Sequence, residues 1–181
     1  MRIYTRKGDD GTTGLLYGGR LGKDDARVEA YGTSDEAVAA LGMARALATS
    51  TDLPDVILRL QRELFVLGAE LATAPENHHK LKPGETKVTA AMVDALEALI
   101  DEHVAKTKMP EEFVIPGETQ GSAALDLARA IVRRCERVCV ALHRAEQLAD
   151  EEPLRYLNRL ADLLFVLARY EEGSFRPVRE A

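Results

Sequence analysis

The sequence predicts an all-α protein, and three observations carry that expectation. Aromatic residues make up 5% of the chain and Trp is absent, while Ala, Leu and Glu are plentiful, a mix that favours helices packed on helices. Apolar residues recur at spacings of three and four through several long stretches. Short polar connections lie between those stretches, with no internal repeat and no linker long enough to divide the chain into separate domains. The 181 residues, 46% of them hydrophobic, suit one domain with a sizeable core. The expectation is a single domain over 1–181, with an N-terminal loop arm over 1–30 and a five-helix antiparallel bundle over 33–172.

Each element has its own warrant. Residues 1–30 are rich in Gly and charge and read as extended or looped. "YGTSDEAVAALGMARALA" then begins the first helix, where Thr33 and Glu36 fit a capping box and Asp35 falls in the first turn. The second helix is expected from about Pro54 to Ala72, with Ile57, Leu60, Leu64, Leu67 and Leu71 as its apolar stripe. A polar loop, "TAPENHHKLKPGET", follows. Thr89 caps the third helix, which runs to about Lys106 with Met92, Val93, Leu96, Leu99, Ile100 and Val104 inward. Pro110 and Pro116 bound a second irregular stretch. The fourth helix spans about Thr119 to Gln147. The fifth starts at Pro153, with Leu157, Leu160, Leu164 and Phe165 in its core stripe. The arrangement is the up-down, ferritin-like type.

The bulk properties exclude several partners. A formal charge of −6 argues against a nucleic-acid duplex held through bulk charge. No apolar run approaches the ~20 residues that cross a bilayer. "MRIYTRKGDD" lacks the apolar core of a secretion signal, so a cytoplasmic location is expected. Cys135 and Cys139 lie four apart on one helix face, where a disulfide fits poorly, and read as buried thiols. His78 and His79 read as belonging to a solvated loop. A carboxylate-bridged di-iron bundle would need Glu-x-x-His pairs on facing helices, and Glu76 with His79 lies in that loop instead. No metal-ligating set is expected from the chain's own side chains.

Two segments carry chemistry. "TRKGDDGTTG", Thr5 to Gly14, has the glycines, hydroxyls and cations of a loop that could wrap a phosphate chain. It lacks the Gly-Lys-Ser/Thr of the common phosphate loop. In "ARAIVRRCERVCVALHR", Arg129, Arg133 and Arg137 stand at i, i+4 and i+8, with Arg134 beside them and Glu136 the one carboxylate. A solvated basic face would explain such a ladder. Against it, like charges four apart cost a few tenths of a kcal/mol per pair. Arg is also used throughout, which suits a planar two-point grip on phosphate oxygens. On the last helix, Asn158 and Asp162 interrupt an apolar pattern; a surface stripe accounts for them equally well.

"IYTRKGDDGTTGL", "EAYGTSDE", "RRCER" and "YLNRLADLLF", in that order, resemble the PduO-type ATP:cob(I)alamin adenosyltransferases. The likeness extends through "LQRELFVLGAELA" and "FVIPGETQGSAALDLAR", nearly the whole chain. It implies transfer of the 5′-deoxyadenosyl group of ATP to the cobalt of cob(I)alamin, with Mg²⁺, in a homotrimer whose sites lie between subunits. It implies that Thr5, Arg6, Lys7, Gly8, Thr13, Gly14 and Lys23 contact nucleotide from the arm. Arg133, Arg134, Glu136 and Arg137 match the nucleotide positions of the helix, and Asn158 the polar residue of the last helix. Asp35 matches an acid that pairs with Arg129 across the interface. Phe113 matches the aromatic residue of an apolar wall that strips the lower axial ligand from cobalt; a core Phe at a loop edge is its other reading. The cobalt supplies the nucleophile, so no Ser, Cys or His base is required. A flavin-type reductase and a B12-dependent enzyme are the implied protein partners.

The chain departs from the pattern in places. Arg6 stands where Lys is common, Lys7 where the position is usually uncharged, and Glu118 where "PGGT" is more usual than "PGET". An Asn often found after the Asp-Glu of "SDEAVAALG" is missing. A contrasting expectation is a non-catalytic helical trimer that binds ATP and adenosylcobalamin as a sensor or delivery protein.

Overall fold

A computed structural model describes residues 3–179; the first two residues of the expected arm and the last two of the expected domain lie outside the described residues. The chain forms five long helices: α1 (Ala26–Leu47), α2 (Leu53–Leu71), α3 (Ala90–Val104), α4 (Gln120–Arg144) and α5 (Glu152–Glu172). Two small antiparallel pairs accompany them. β1 (Thr12–Gly14) pairs with β2 (Arg20–Gly22), and β3 (Val114–Ile115) pairs with β4 (Arg176–Pro177). The all-α bundle expected from the sequence is thus the architecture observed. α1 packs on α2 and α4, α4 on α5, and α5 on α3. The core between them is Leu- and Ala-rich, with Leu41, Leu64, Leu125, Leu157 and Leu164 essentially without solvent exposure. Cys135 and Cys139 are free thiols inside it.

The first helix begins earlier than its sequence pattern suggests. Asp25 is the N-cap, its carboxylate accepting from the Arg27 backbone N–H at 2.8 Å. Thr33 is therefore mid-helix, and its hydroxyl donates to the Glu29 carbonyl rather than capping anything. Arg27 explains why the extra two turns form. Its buried guanidinium donates to the carbonyls of Leu71, Thr73 and Gln147, satisfying orphan acceptors at the C-terminal ends of α2 and α4.

The other caps follow the sequence more closely. Thr89 accepts from Met92 N–H, and Thr119 forms a reciprocal capping box with Ser122. Gly173 closes α5 at φ 66°, the left-handed conformation that turns the chain back toward β4. Where α4 begins beside the end of α5, a Cβ on Gly121 would lie 2.7 Å from Glu171 Oε1, so a larger residue there would have to displace that carboxylate. Glu171 in turn accepts from Thr49 N–H and Ser50 N–H after α1.

Three further expectations need correction. On α3 it is His103 that is buried, not Val104; its Nδ1 donates to the Leu99 carbonyl, and its ring meets Tyr170 edge-on at 5.1 Å. The loop after α2 contains a short 3-10 turn over Pro75–Lys80, in which His78 is half-buried. Phe165 is half-buried rather than set in the core, and two arginines, Arg129 and Arg169, stack over it.

Candidate active site

The arm folds back on itself and is held from inside. Arg20 donates to the Lys7 carbonyl at 2.6 Å and, through Nε, to the Thr12 hydroxyl at 3.1 Å. Lys23 donates to the Gly8 carbonyl at 2.8 Å, and Asp10 accepts from both the backbone and hydroxyl of Thr12. Those bonds hold the Asp10 carboxyl below its ordinary range. Gly8 is tightly enclosed: a Cβ there would meet the Thr12 carbonyl oxygen at 3.0 Å. The loop is pinned to the bundle where Leu16 N–H donates to the Ala72 carbonyl and Tyr17 meets Thr86. Thr5, Arg6 and Lys7 remain exposed, with Arg6 in the left-handed region at φ 63°. Lys23, expected on the nucleotide, thus also shapes the loop. Arg20, which sequence reading did not single out, does the same.

The four arginines of the ladder on α4 differ in their surroundings. Arg129 stacks over the Phe165 ring at 5.3 Å. Arg134 is ion-paired with Glu36 of α1. Arg137 donates to the Arg133 carbonyl at 3.0 Å, and neither Arg133 nor Arg137 has a carboxylate partner among the described residues. Both are exposed. Glu136, between them on the helix, accepts from Asn158 Nδ2 at 3.2 Å, and Asn158 Oδ1 accepts from Arg159, which Glu97 holds at 2.8 Å. Ladder and last-helix polar groups therefore meet.

The arm and the ladder do not meet within one chain. None of Thr5, Arg6, Lys7, Gly8, Thr13, Gly14 and Lys23 hydrogen-bonds or ion-pairs with Arg129, Arg133, Arg134 or Arg137. Asp35 likewise has no in-chain ion pair among the described residues and stands at an apolar groove of about 510 Å³ between α1 and α2. Val38, Leu64, Phe65 and Ala72 line that groove, and Phe65 is 64% exposed.

Phe113 is 88% exposed, which removes the core reading. Its carbonyl accepts from Val178 N–H at 2.9 Å, so the C-terminal strand backs the loop that presents it. Glu118 pairs with Arg176 of that strand at 3.3 Å, giving the unusual glutamate a partner. Phe113, Phe165, Arg129, Asp126 and Arg169 border a cavity of about 330 Å³. No group of three or more His, Cys, Asp or Glu side chains able to hold a metal ion forms among the described residues. No described helix is long and apolar enough to cross a membrane.

Comparison with known proteins fits this geometry. Residues 3–171 match the family described as cobalamin adenosyltransferase. A corrinoid adenosyltransferase of Citrobacter freundii is 47% identical over 173 residues, 96% of each chain. One from Bacillus subtilis is 41% identical over 93% of this chain and 86% of its own. Among solved structures, a variant PduO-type ATP:corrinoid adenosyltransferase from Lactobacillus reuteri, complexed with cobalamin and ATP, superposes with a TM-score of 0.88. It is 34% identical, over 99% of this chain and 100% of its own. The helical bundle with its glycine-rich arm, arginine ladder and exposed phenylalanine belongs to a member of the cobalamin adenosyltransferase family.

Proposed function

We infer that this chain transfers the 5′-deoxyadenosyl group of ATP to the cobalt of cob(I)alamin, giving adenosylcobalamin and triphosphate. The Co(I) electron pair forms the Co–C5′ bond, the C5′–O bond breaks, and the triphosphate leaves with that bond's electrons. Negative charge grows on the leaving group, so preplaced guanidiniums lower the barrier. The observation that carries this reading is the pair Arg133 and Arg137, exposed and without a carboxylate partner among the described residues, beside Glu136 and Asn158. An anion is what such a pair lacks.

The arm of one copy and the ladder of the next complete the site. Support comes from the absence of any bond between those elements within one chain, from Asp35 with no ion pair among the described residues, and from the apolar α1–α2 groove beside it. A homotrimer in which Asp35 reaches Arg129 of a neighbour closes all three gaps. Mg²⁺ would arrive with the triphosphate, and Glu136 is the carboxylate of the ladder that could stand beside it. When bound, it neutralises phosphate charge. Phe113 and Phe165 form the apolar wall against the corrin's lower face, which disfavours an axial ligand there.

Mixing protein, ATP and chemically reduced cobalamin while following the cobalt spectrum tests the reaction. Conversion to the adenosylcobalamin spectrum is expected. Tight ATP binding with no spectral change would favour a sensor or delivery role instead.

A further inference from the structure

A charge cluster lies behind the apolar wall. Arg169 of α5 is 2% exposed. Its Nη2 donates to Asp126 Oδ2 of α4 at 2.6 Å, and to Glu172 Oε2 at 3.2 Å. Its Nε also lies against Glu172 as an ion pair, a contact of charge and not an aligned hydrogen bond. The same guanidinium sits over the Phe165 ring, 5.0 Å from its centroid, and Arg129 sits over that ring at 5.3 Å. Two acids and one cation leave the buried cluster one negative charge in excess, and Arg129 stands over the same ring.

Stability alone does not account for such a group. Ionic pairs at buried positions gain little over apolar residues of the same volume, because both charges lose their water. What the cluster does fix is position. A planar cation held by two carboxylates has few ways to move, and a ring stacked on it takes its placement from it. We propose that Arg169 is a positioning residue: anchored by Asp126 and Glu172, it sets the Phe165 ring that shares the 330 Å³ cavity with Phe113 and that carries Arg129 on its surface. Arg169 thereby couples the width of the apolar wall to the aim of the arginine expected to meet Asp35 of the next copy. The inference rests on the reading of the Phe113 side as the corrin-facing wall.

The test uses the full-length protein with saturating ATP and cob(II)alamin, and reads the four-coordinate Co(II) fraction by electron paramagnetic resonance. Arg169→Lys keeps the charge but loses the planar two-acid anchor. It is expected to lower that fraction about fivefold while the rate with pre-reduced Co(I) stays within about twofold. Phe165→Leu should lower the four-coordinate fraction as well, and the double variant should lose no more of it than either single one, because both act through one ring. An unchanged fraction in Arg169→Lys, or losses that multiply in the double variant, would overturn the proposal. If Arg169→Lys does not fold, Asp126→Asn loosens the anchor with the shape kept and is judged by the same outcomes. Should Phe113→Ala and Phe165→Leu both leave the fraction unchanged, the corrin-wall reading fails. Should they lower it while Arg169→Lys does not, Arg169 alone loses its role.

Discussion

Asn158 Nδ2 donates to Glu136 Oε1 at 3.2 Å, joining α5 to α4 within the turn that carries Arg133 and Arg137. The amide holds the one carboxylate of the ladder away from its neighbouring guanidiniums. Without it, Glu136 is free to pair with them and to compete with phosphate oxygens. Asn158→Ala is therefore expected to raise KM for ATP several-fold, on the order of 1 kcal/mol, with little change in melting temperature. A steady-state titration of ATP checks this; an unaltered KM would separate Asn158 from the nucleotide.

Arg133 and Arg137 make the most direct prediction. Neither has an in-chain acid to lose among the described residues, so replacing either by Ala should not destabilise the bundle. Each change should lower kcat/KM for ATP at least tenfold, roughly 1.4 kcal/mol or more. Normal turnover in both variants would refute the triphosphate assignment.

Phe113 should separate the two halves of the chemistry. At 88% exposure its ring contributes little to the fold, so Phe113→Ala should melt near the parent temperature. Turnover starting from Co(I) should be largely intact, while turnover that must begin with Co(II) reduction should fall. Equal damage to both counts against the wall.

Glu70 gives a pH dependence with a definite sign. Burial pushes its carboxyl from 4.5 up to about 7, against the opposing pull of the hydrogen bond it accepts from Val88 N–H. The fold prefers the neutral form. As pH rises from 4.5 through about 7, the unfolded chain ionises first, and the fold loses on the order of 3 kcal/mol across that window. Glu70→Gln keeps an acceptor for Val88 and removes the ionisation. Its melting temperature should gain on the parent's as pH is raised through that window; a difference independent of pH would contradict this.

Much of the architecture was legible because helix period and caps are local signals. Pro54, Thr89, Thr119 and Pro153 each mark a helix start to within a residue or two. The start of α1 was not legible. Thr33 with Glu36 mimics a capping box, while the true cap, Asp25, is backed by Arg27 reaching carbonyls 44 to 120 residues away. His103 hid in part for the same reason: its Nδ1 turns back to the nearby Leu99 carbonyl, but the ring that packs edge-on against it, Tyr170, lies far along the chain. Within the site, the arginine spacing exposed the ladder. It could not show that Arg134 is taken by Glu36, or that Arg20 and Lys23 shape the arm from inside. The Arg169 cluster left only a faint trace, an arginine within an apolar helix, because its two acids come from different helices, α4 and α5.

Subunit complementation tests the central arrangement most directly. An arm variant, Arg6→Ala with Lys7→Ala, and a ladder variant, Arg133→Ala, are each prepared in inactive form, then mixed, dissociated and reassembled. If one copy's arm works with its neighbour's ladder, random reassembly restores sites with both elements intact, about a quarter of parent turnover. Mixed protein that assembles normally yet stays as inactive as its two components would contradict the shared site.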